Sequence, residues 1–182
     1  HTESENIQIP SVRRMISAGA AMPVATIRRL QKTLSPDAEV YTPYGATECL
    51  PVASVSGSEL NAEVEQRTAS GEGTCKGRPV KPNKVKIIPV VDTAIESFAQ
   101  TVELPVGITG EIVVQGPTST DSYWQRQEQT NLAKITDSNG SIWHRMGDVG
   151  YFDDEGVFMR QGFAAVDPPE NNSILLRVFS NE

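Results

Sequence analysis

The spacing of apolar residues changes near residue 73, and this change is the strongest constraint on the fold. Before it, SVRRMIS at 11–17 predicts a short strand, and a helical pattern follows that begins near Pro23. A second strand is predicted at 39–42. This alternation of strand and helix is typical of an α/β fold. The apolar residues at helical spacing are Val24, Ile27, Leu30 and Leu34.

Beyond residue 73 the pattern is one of short strands. The turn sequence DSNG at 137–140 predicts a hairpin, and 127–135 is the one helical pattern in this part. We therefore predict an α/β portion at 1–72 followed by a β-rich, barrel-like subdomain at 73–160. Residues 161–182, whose periodicity is poor, form a divergent tail. The predicted strands of the second part are 84–91, 111–115, 142–146 and 156–160.

Charge and cysteine content argue against several classes of partner. The net charge is −7 and the Lys and Arg residues are scattered, so a track for the phosphate backbone of DNA or RNA is not predicted. No apolar run approaches the length that crosses a bilayer. Cys49 and Cys75 are too few for a disulfide framework or a zinc site, which favours a reducing, cytoplasmic location.

The segment YGATE carries side chains suited to nucleotide chemistry. It lies within 41–57, where a β-prone start runs into Pro43 and Gly45 and apolar residues resume at Leu50, a pattern that predicts a tight loop between buried elements. The Tyr44 ring can stack on a base, Gly45 lets the backbone approach a ligand, and Thr47 can donate to a phosphate oxygen. Glu48 can hold Mg²⁺, which prefers carboxylate and phosphate oxygens together. The alternative is a turn in which the tyrosine packs and the glutamate is solvated.

Two further segments complement this loop. SAGAAMP at 17–23 offers a flat surface of small residues that can lie beside a planar ring, although such residues also serve close packing. In WHRMGD at 143–148, Asp148 is predicted to occupy a Gly-Asp turn at a strand end. There it can accept two hydrogen bonds from a ribose diol. A turn-forming aspartate without a ligand is the alternative.

Six motifs follow one another in a recognisable order: SAGAAMP, YGATE, GRPVKP, LPVGITGEIVVQGP, YWQR and WHRMGD. In this order they resemble the adenylate-forming ligase superfamily, which includes acyl-CoA synthetases and the adenylation domains of peptide synthetases. The resemblance spans most of residues 10–160. TPYGATECLPVAS, GTCKGRPV and IWHRMGD are most similar to the long-chain acyl-activating branch, which includes the olefin β-lactone synthetases.

The resemblance implies a fold and a reaction. Residues 1–72 would be the end of an α/β nucleotide-binding subdomain, and the chain would be the C-terminal half of the large N-terminal domain of an adenylate-forming enzyme. Such enzymes use ATP and Mg²⁺ to convert a small-molecule carboxylate, here a long-chain acyl group, to an acyl-adenylate that contains AMP. CoA is a further candidate substrate of the parent enzyme.

The resemblance also implies which residues contact the adenosine part of the ligand. Gly19, Ala20 and Ala21 match the family segment that lies on one face of adenine. Tyr44 matches the aromatic residue on the other face, and Asp148 matches the residue that anchors the ribose.

The remaining roles fall on four consecutive residues. Gly45 and Ala46 match backbone that lines the acyl pocket. Thr47 matches the phosphate-binding hydroxyl and Glu48 matches the magnesium carboxylate. Thr47 and Glu48 are therefore the candidate catalytic residues, and Glu48 is the candidate metal ligand.

Two parts of the family pattern do not occur in this sequence. One is the Ser/Thr/Gly-rich phosphate loop expected upstream of YGATE. The other is the hinge and catalytic-lysine lid expected after Gly162, where Phe163-Ala164-Ala165 stands instead. We predict that the chain is inactive alone and belongs with the missing N- and C-terminal parts of a ligase. The alternatives are a non-catalytic nucleotide- or protein-binding module and, among enzymes, a peptide-synthetase adenylation domain.

Overall fold

The structure, a computed structural model, describes residues 8–20 and 22–163. The predicted tail lies outside these residues from position 164 onward. None of the helices in the described part is long and apolar enough to cross a membrane. The described part contains nine strands and three α-helices, with a short 3-10 helix at Phe98–Gln100. In chain order they are β1 (Arg14–Ile16), α1 (Val24–Gln31), β2 (Glu39–Ala46), β3 (Cys49–Ser56), α2 (Ala62–Ala69), β4 (Thr74–Pro79), β5 (Lys84–Ile88), β6 (Gly110–Gln115), α3 (Gln127–Ala133), β7 (Lys134–Thr136), β8 (Ile142–Phe152) and β9 (Phe158–Phe163).

The strands form one mixed sheet in the order β1-β2-β3-β4-β9-β8-β6-β5, with β7 paired to β8. β1 and β2 are parallel, and the other paired strands are antiparallel. The predicted change from an α/β portion to a β-rich portion is therefore confirmed. β4 pairs with β3 on one side and with β9 on the other, so it joins the two portions. The division at residues 72 and 73 stays a prediction.

Helix α1 forms where the apolar spacing predicts it. Pro23 occupies the N-cap position, and the helix ends at Gln31. Ile27 is 1% exposed and lies in a core with Val40 of β2 and Val55 of β3. Burial of a side chain of this size stabilises a fold by about 1.5–3 kcal/mol. This core holds α1 against the first strands of the sheet.

Strand β6 is buried on both faces. Ile112 and Val114 lie in a core with Phe158 of β9, whereas Val113 lies in a second core with Trp143 of β8. Alternate residues of a strand point to opposite faces of the sheet, and this accounts for the division between the two cores. The run of apolar residues in β6 is thus explained by burial on both sides.

The hairpin predicted at 137–140 joins β7 to β8. Asp137 Oδ1 accepts hydrogen bonds from the amides of Asn139 and Ser141, at 2.8 and 2.9 Å. The helix before it is shorter than predicted, because residues after Ala133 pair with β8 as β7. Ile135 is fully buried in that strand, and its β-branched side chain suits a pleated surface.

The tight loop predicted within 41–57 lies between two strands, but it is shorter than the positions of Pro43 and Gly45 indicated. β2 continues through YGA, a two-residue turn follows, and β3 begins at Cys49. The register pairs Ala46 with Cys49 across the turn. Pairing with β3 outweighs the turn preference of Pro43 and Gly45, on which the loop prediction depended.

Helix α2 is absent from the sequence prediction. None of its residues is buried, so no apolar stripe marks it. Its signals are a cap and a charge pattern: the Asn61 side chain accepts from the Val64 amide at 3.0 Å, and Glu63 and Glu65 lie in the first turn. Carboxylates are favourable there because the N-terminal end of a helix is partly positive.

Candidate functional site

The turn of the β2–β3 hairpin borders a cavity of about 980 Å³. Residues from α1, α2, β4, β8 and β9 line its other sides. Ala21 lies outside the described residues. The other predicted site residues, which come from three separate stretches of the chain, all line this cavity: Gly19, Ala20, Tyr44, Gly45, Ala46, Thr47, Glu48 and Asp148.

Tyr44 is fixed by a hydrogen bond and by ring packing. Its hydroxyl donates to Asp148 Oδ2 at 2.7 Å, and its ring centroid lies 5.4 Å from that of Phe158. The residue is only 7% exposed. Burial, and then the charge of Asp148, raise the pKa of the Tyr44 phenol, so the hydroxyl is a donor throughout the ordinary pH range.

Asp148 accepts hydrogen bonds on both carboxylate oxygens. Tyr44 donates to Oδ2, and Arg160 Nη2 lies 2.6 Å from Oδ1 in an ion pair. A carboxylate has about four lone-pair positions, so these two donors leave acceptor capacity for a ligand hydroxyl. The Asp148 carboxylate therefore lines the cavity in an orientation that is fixed by Tyr44 and Arg160.

The predicted Gly-Asp turn around Asp148 is wrong, because the residue lies within strand β8. The pairing register between β6 and β8 shifts across this part of the strand, between the partners Arg145 and Val149. Gly147 has φ 67 at this irregularity, a conformation that glycine adopts readily. Asp148 thus lines the cavity from an irregular stretch of strand rather than from a turn.

Gly45 is required by the closure of the hairpin. A Cβ atom at this position would collide with the carbonyl oxygen of Cys49 and would lie 2.7 Å from the Leu50 side chain. Bare backbone is therefore a condition for the turn that presents Thr47 and Glu48. Thr47 is exposed at that turn, whereas Glu48 is half-buried.

The carboxylate of Glu48 is held by a residue to which the sequence analysis assigns no role. The Tyr123 hydroxyl donates to Glu48 Oε1 at 2.8 Å. This hydrogen bond is the main cause that lowers the pKa of Glu48. Burial and the glutamate together raise the pKa of Tyr123 to about 12, so the phenol stays protonated at neutral pH. Tyr123 is the first residue of the YWQR motif, and this motif is the sequence signal that could have identified it as a site residue.

The donor set fits a magnesium ion that is shared with a nucleotide. Within residues 8–20 and 22–163 there is no group of three or more His, Cys, Asp or Glu side chains that could hold a metal alone. Mg²⁺ usually binds through one or two carboxylates together with substrate phosphates and waters. Glu48, with Thr47 beside it at the cavity wall, matches that pattern.

Two cationic residues in the cavity wall are absent from the sequence prediction. Arg160 contacts Asp148 as described, and Lys76 of β4 lines the same cavity. Burial lowers the pKa of the Lys76 ammonium, and the charge of Arg160 lowers it further. The sequence gives no periodic signal that would bring residues 76 and 160 into one wall.

Comparison with known proteins agrees with the resemblance found in the motifs. Residues 1–124 match the family model of the AMP-binding enzymes. The chain is 47% identical over 152 residues to an olefin beta-lactone synthetase of Stenotrophomonas maltophilia, a match that covers 81% of the chain and 27% of that protein. It is 28% identical to a long-chain-fatty-acid–CoA ligase of Bacillus subtilis, over 87% of the chain and 24% of that protein.

Solved structures of related enzymes share the fold. A crystal structure of a long-chain-fatty-acid–CoA ligase from Archaeoglobus fulgidus matches with a TM-score of 0.64 at 25% identity, over 90% of this chain and 31% of that one. The chain spans about a quarter of the length of the curated relatives it matches. The predicted place of this fold within an adenylate-forming enzyme is confirmed. This chain therefore belongs to the AMP-binding enzyme family.

Proposed function

We propose that this chain provides the adenosine- and acyl-binding wall of an ATP-dependent, AMP-forming acyl ligase. One observation carries the proposal: the eight described candidate residues line a single cavity although they come from three stretches of the chain. Membership of the AMP-binding enzyme family supports it. The proposed ligands are ATP, AMP and Mg²⁺, and the proposed substrate is a small-molecule carboxylate.

In the proposed complex, adenosine lies between two walls of the cavity. Gly19 and Ala20 contribute small residues on one side, and the Tyr44 ring, held by its own hydroxyl, lies on the other. The ribose diol donates to the carboxylate of Asp148, which retains acceptor capacity beside its two protein donors. Fixed partners of this kind reduce the entropy lost on binding.

The proposed reaction takes place at the hairpin turn. A carboxylate oxygen of the substrate attacks the α-phosphorus of ATP, a new P–O bond forms, and the bond to pyrophosphate breaks. Mg²⁺, when bound with the nucleotide, neutralises charge on the phosphate oxygens. Thr47 donates its hydroxyl to a phosphate oxygen, and Glu48 holds the cation. Pairing of β2 with β3 positions both residues before a ligand binds.

We assign the acyl substrate to the long-chain class. One relative is named a long-chain-fatty-acid–CoA ligase, and this name supports the assignment. The cavity is also bordered by apolar side chains that an alkyl chain can contact. Contact with them removes the apolar surface of the alkyl chain from water, which favours binding of a long-chain ligand. These side chains are Met22, Leu50, Leu60, Val64 and Met146.

The proposed activity is tested by ATP–pyrophosphate exchange in a longer protein that contains this chain. We expect exchange that depends on a long-chain fatty acid, and a loss of about 10²-fold or more in Thr47→Ala, because a preorganised donor to the reacting phosphate is removed. Thr136→Ala is the matched control, since Thr136 is exposed at the end of β7. Exchange that responds to amino acids instead of fatty acids would favour a peptide-synthetase adenylation domain.

We further propose that the 182 residues alone catalyse no appreciable exchange. The phosphate loop and lid lysine that the family pattern leads us to expect do not occur in this sequence. Their loss removes several groups that stabilise charge on the transferred phosphoryl group. Robust fatty-acid-dependent exchange by the purified chain would refute this part of the proposal.

A further inference from the structure

The Glu48 turn is braced by residues 116–123, which we call the brace segment. The amide of Thr120 donates to the carbonyl oxygen of Glu48 at 2.8 Å. The hydroxyl of Tyr123 donates to the carboxylate of the same residue, also at 2.8 Å. One segment therefore fixes both the main chain and the side chain of Glu48, although Tyr123 is 75 positions away in the sequence.

The brace segment is itself anchored to the elements that follow it. Lys134 donates through Nζ to the carbonyl oxygen of Thr120 and, at 3.1 Å, to its hydroxyl, and it lies 5.8 Å from the centroid of the Tyr123 ring. The Tyr123 amide donates to Thr130 Oγ1 in α3 at 3.0 Å. Gln125 has φ 53, a costly conformation for a residue other than glycine. Surrounding contacts hold Tyr123 in place.

The donors that hold the carboxylate of Glu48 leave it acceptor capacity. The Tyr123 phenol donates to Oε1, and the backbone amide of Glu48 also contributes a hydrogen bond. A carboxylate has about four lone-pair positions, so a cation can still bind. Glu48 also lines the cavity. A carboxylate that is already held by such donors loses little rotational freedom when it binds a cation, and such supporting partners are known to raise metal affinity.

We propose that Tyr123 is a positioning residue that holds Glu48 in the orientation in which it binds a hard divalent cation. This inference rests on the proposed function, because it takes Glu48 as the magnesium ligand. It gives a role to the YWQR motif, in which Tyr123 acts through Glu48 and does not contact the cation itself. A tyrosine that only packed against the turn would contribute to stability and leave cation affinity unchanged.

The test uses Mn²⁺ as the probe, since it shares the oxygen preference of Mg²⁺ and broadens the NMR signals of nearby nuclei. The 182-residue chain is titrated with Mn²⁺ in the presence of AMP, and broadening of amide signals at the Glu48 turn gives an apparent affinity. We expect Tyr123→Phe to weaken this affinity by about tenfold. Tyr151→Phe is the matched control, because its hydroxyl donates to the Glu72 carbonyl oxygen instead.

Two further variants separate the possible outcomes. Glu48→Gln should abolish the broadening, whereas Thr130→Val, which removes the acceptor of the Tyr123 amide, should weaken Mn²⁺ binding by a smaller factor and serves if Tyr123→Phe does not fold. Thermal unfolding of each variant gives the stability.

Equal Mn²⁺ affinity in Tyr123→Phe and the unchanged chain would overturn the inference and leave the proposed function intact. Broadening that persists in Glu48→Gln would overturn both the metal assignment and the inference. AMP-induced shifts at Tyr44, recorded without Mn²⁺, report separately on the nucleotide site.

Discussion

Asp148 accepts hydrogen bonds from two side chains on different strands, Tyr44 of β2 and Arg160 of β9. The carboxylate is only 12% exposed in its side chain, and the ion pair with Arg160 is partly buried. A ribose diol that binds here meets an acceptor whose position is fixed by both partners. In the proposed complex, Asp148 contributes to binding of the ribose, and the ring of Tyr44 contributes to binding of the base.

Substitutions at Asp148 and Tyr44 should therefore affect nucleoside and base differently. Asp148→Ala is expected to weaken adenosine binding by the loss of a charge-assisted contact of about 1.5–3 kcal/mol, and to leave adenine binding nearly unchanged. Tyr44→Ala is expected to weaken both, because base stacking on an aromatic ring is worth roughly 1–3 kcal/mol. The measurement is an NMR titration of each variant with adenosine and with adenine.

Tyr44→Phe is the control for this pair of variants. It retains the ring and removes only the hydroxyl that donates to Asp148. Adenine should bind this variant as it binds the unchanged chain. If Asp148→Ala reduced adenine and adenosine binding equally, the assignment of the ribose to Asp148 would be wrong.

His144 should make stability depend on pH between about 4 and 6.5. The residue is 3% exposed, and burial, with the charge of Lys134, lowers the pKa of His144 from 6.5 to about 4. Because the folded state binds the proton less readily, the contribution of neutral His144 is present above pH 6.5 and is lost as the pH falls toward 4. The difference between the two pKa values corresponds to a contribution of roughly 3 kcal/mol to the free energy of unfolding.

Urea unfolding at pH 7.5 and pH 4.5 measures this contribution. The unchanged chain should lose more free energy of unfolding between the two pH values than His144→Gln, by an amount on the order of 2–3 kcal/mol. Carboxylates that titrate in the same range contribute to both proteins and cancel in the comparison. Equal losses in the two proteins would show that His144 is not held neutral.

Arg145 of β8 connects secondary-structure elements that are far apart in sequence. Its guanidinium pairs with Glu111 of β6, Nη2 to Oε2 at 2.7 Å, and both side chains are less than 10% exposed. It also donates to the carbonyl oxygens of Val91 at 2.5 Å, Thr93 at 2.8 Å and Leu132 at 3.0 Å. Arg145 thus ties the 91–93 segment and the end of α3 to the central strands beside Asp148.

Arg145→Ala should destabilise the fold by about 3–5 kcal/mol, because it leaves the Glu111 carboxylate buried without its partner. The matched control is Arg28→Ala, which removes the exposed ion pair with Glu65 and should cost about 0–1 kcal/mol. Urea unfolding at neutral pH measures both. Similar effects of the two substitutions would contradict the view that Arg145 links these elements.

Elements with a local signal could be predicted from the sequence. The apolar period through Ile27 predicts α1, and the turn after Asp137 predicts the β7–β8 hairpin, since both depend on neighbouring residues. Helix α2 buries none of its residues and so has no apolar period. The extension of β2 through Gly45 depends on pairing with β3, which local turn preference opposes.

For the candidate site, too, local features could be predicted from the sequence and long-range contacts could not. The chemical types at Thr47, Glu48 and Asp148 are visible in motifs, because each motif is local. Contacts between motifs are not: Tyr44 and Asp148 are 104 positions apart, and Tyr123 is 75 positions from Glu48. Tertiary pairing of the strands sets these contacts, and a single sequence contains no periodic signal for them.

The cavity lies where the two portions of the sheet meet. β2 supplies Tyr44 and the hairpin turn, and β8 supplies Asp148 from the β-rich portion. β4 pairs with strands of both portions and contributes Lys76 to the wall. The proposed adenosine site therefore needs residues of both portions. The match to the AMP-binding family model also extends beyond the first portion, to residue 124. The motif resemblance extends further, to Asp148.

The cavity is proposed to bind the adenosine part of a nucleotide, and an NMR titration of the 182-residue chain with AMP tests this proposal. Stacking and a diol contact, less the cost of association, support a dissociation constant in the high-micromolar to millimolar range, on the order of 10⁻⁴–10⁻³ M. We predict that AMP shifts amide signals at Gly19, Ala20, Tyr44 and Asp148 together, along one saturation curve. Absence of shifts at these residues at millimolar AMP, or shifts confined to another surface, would show that the proposed adenosine site is wrong.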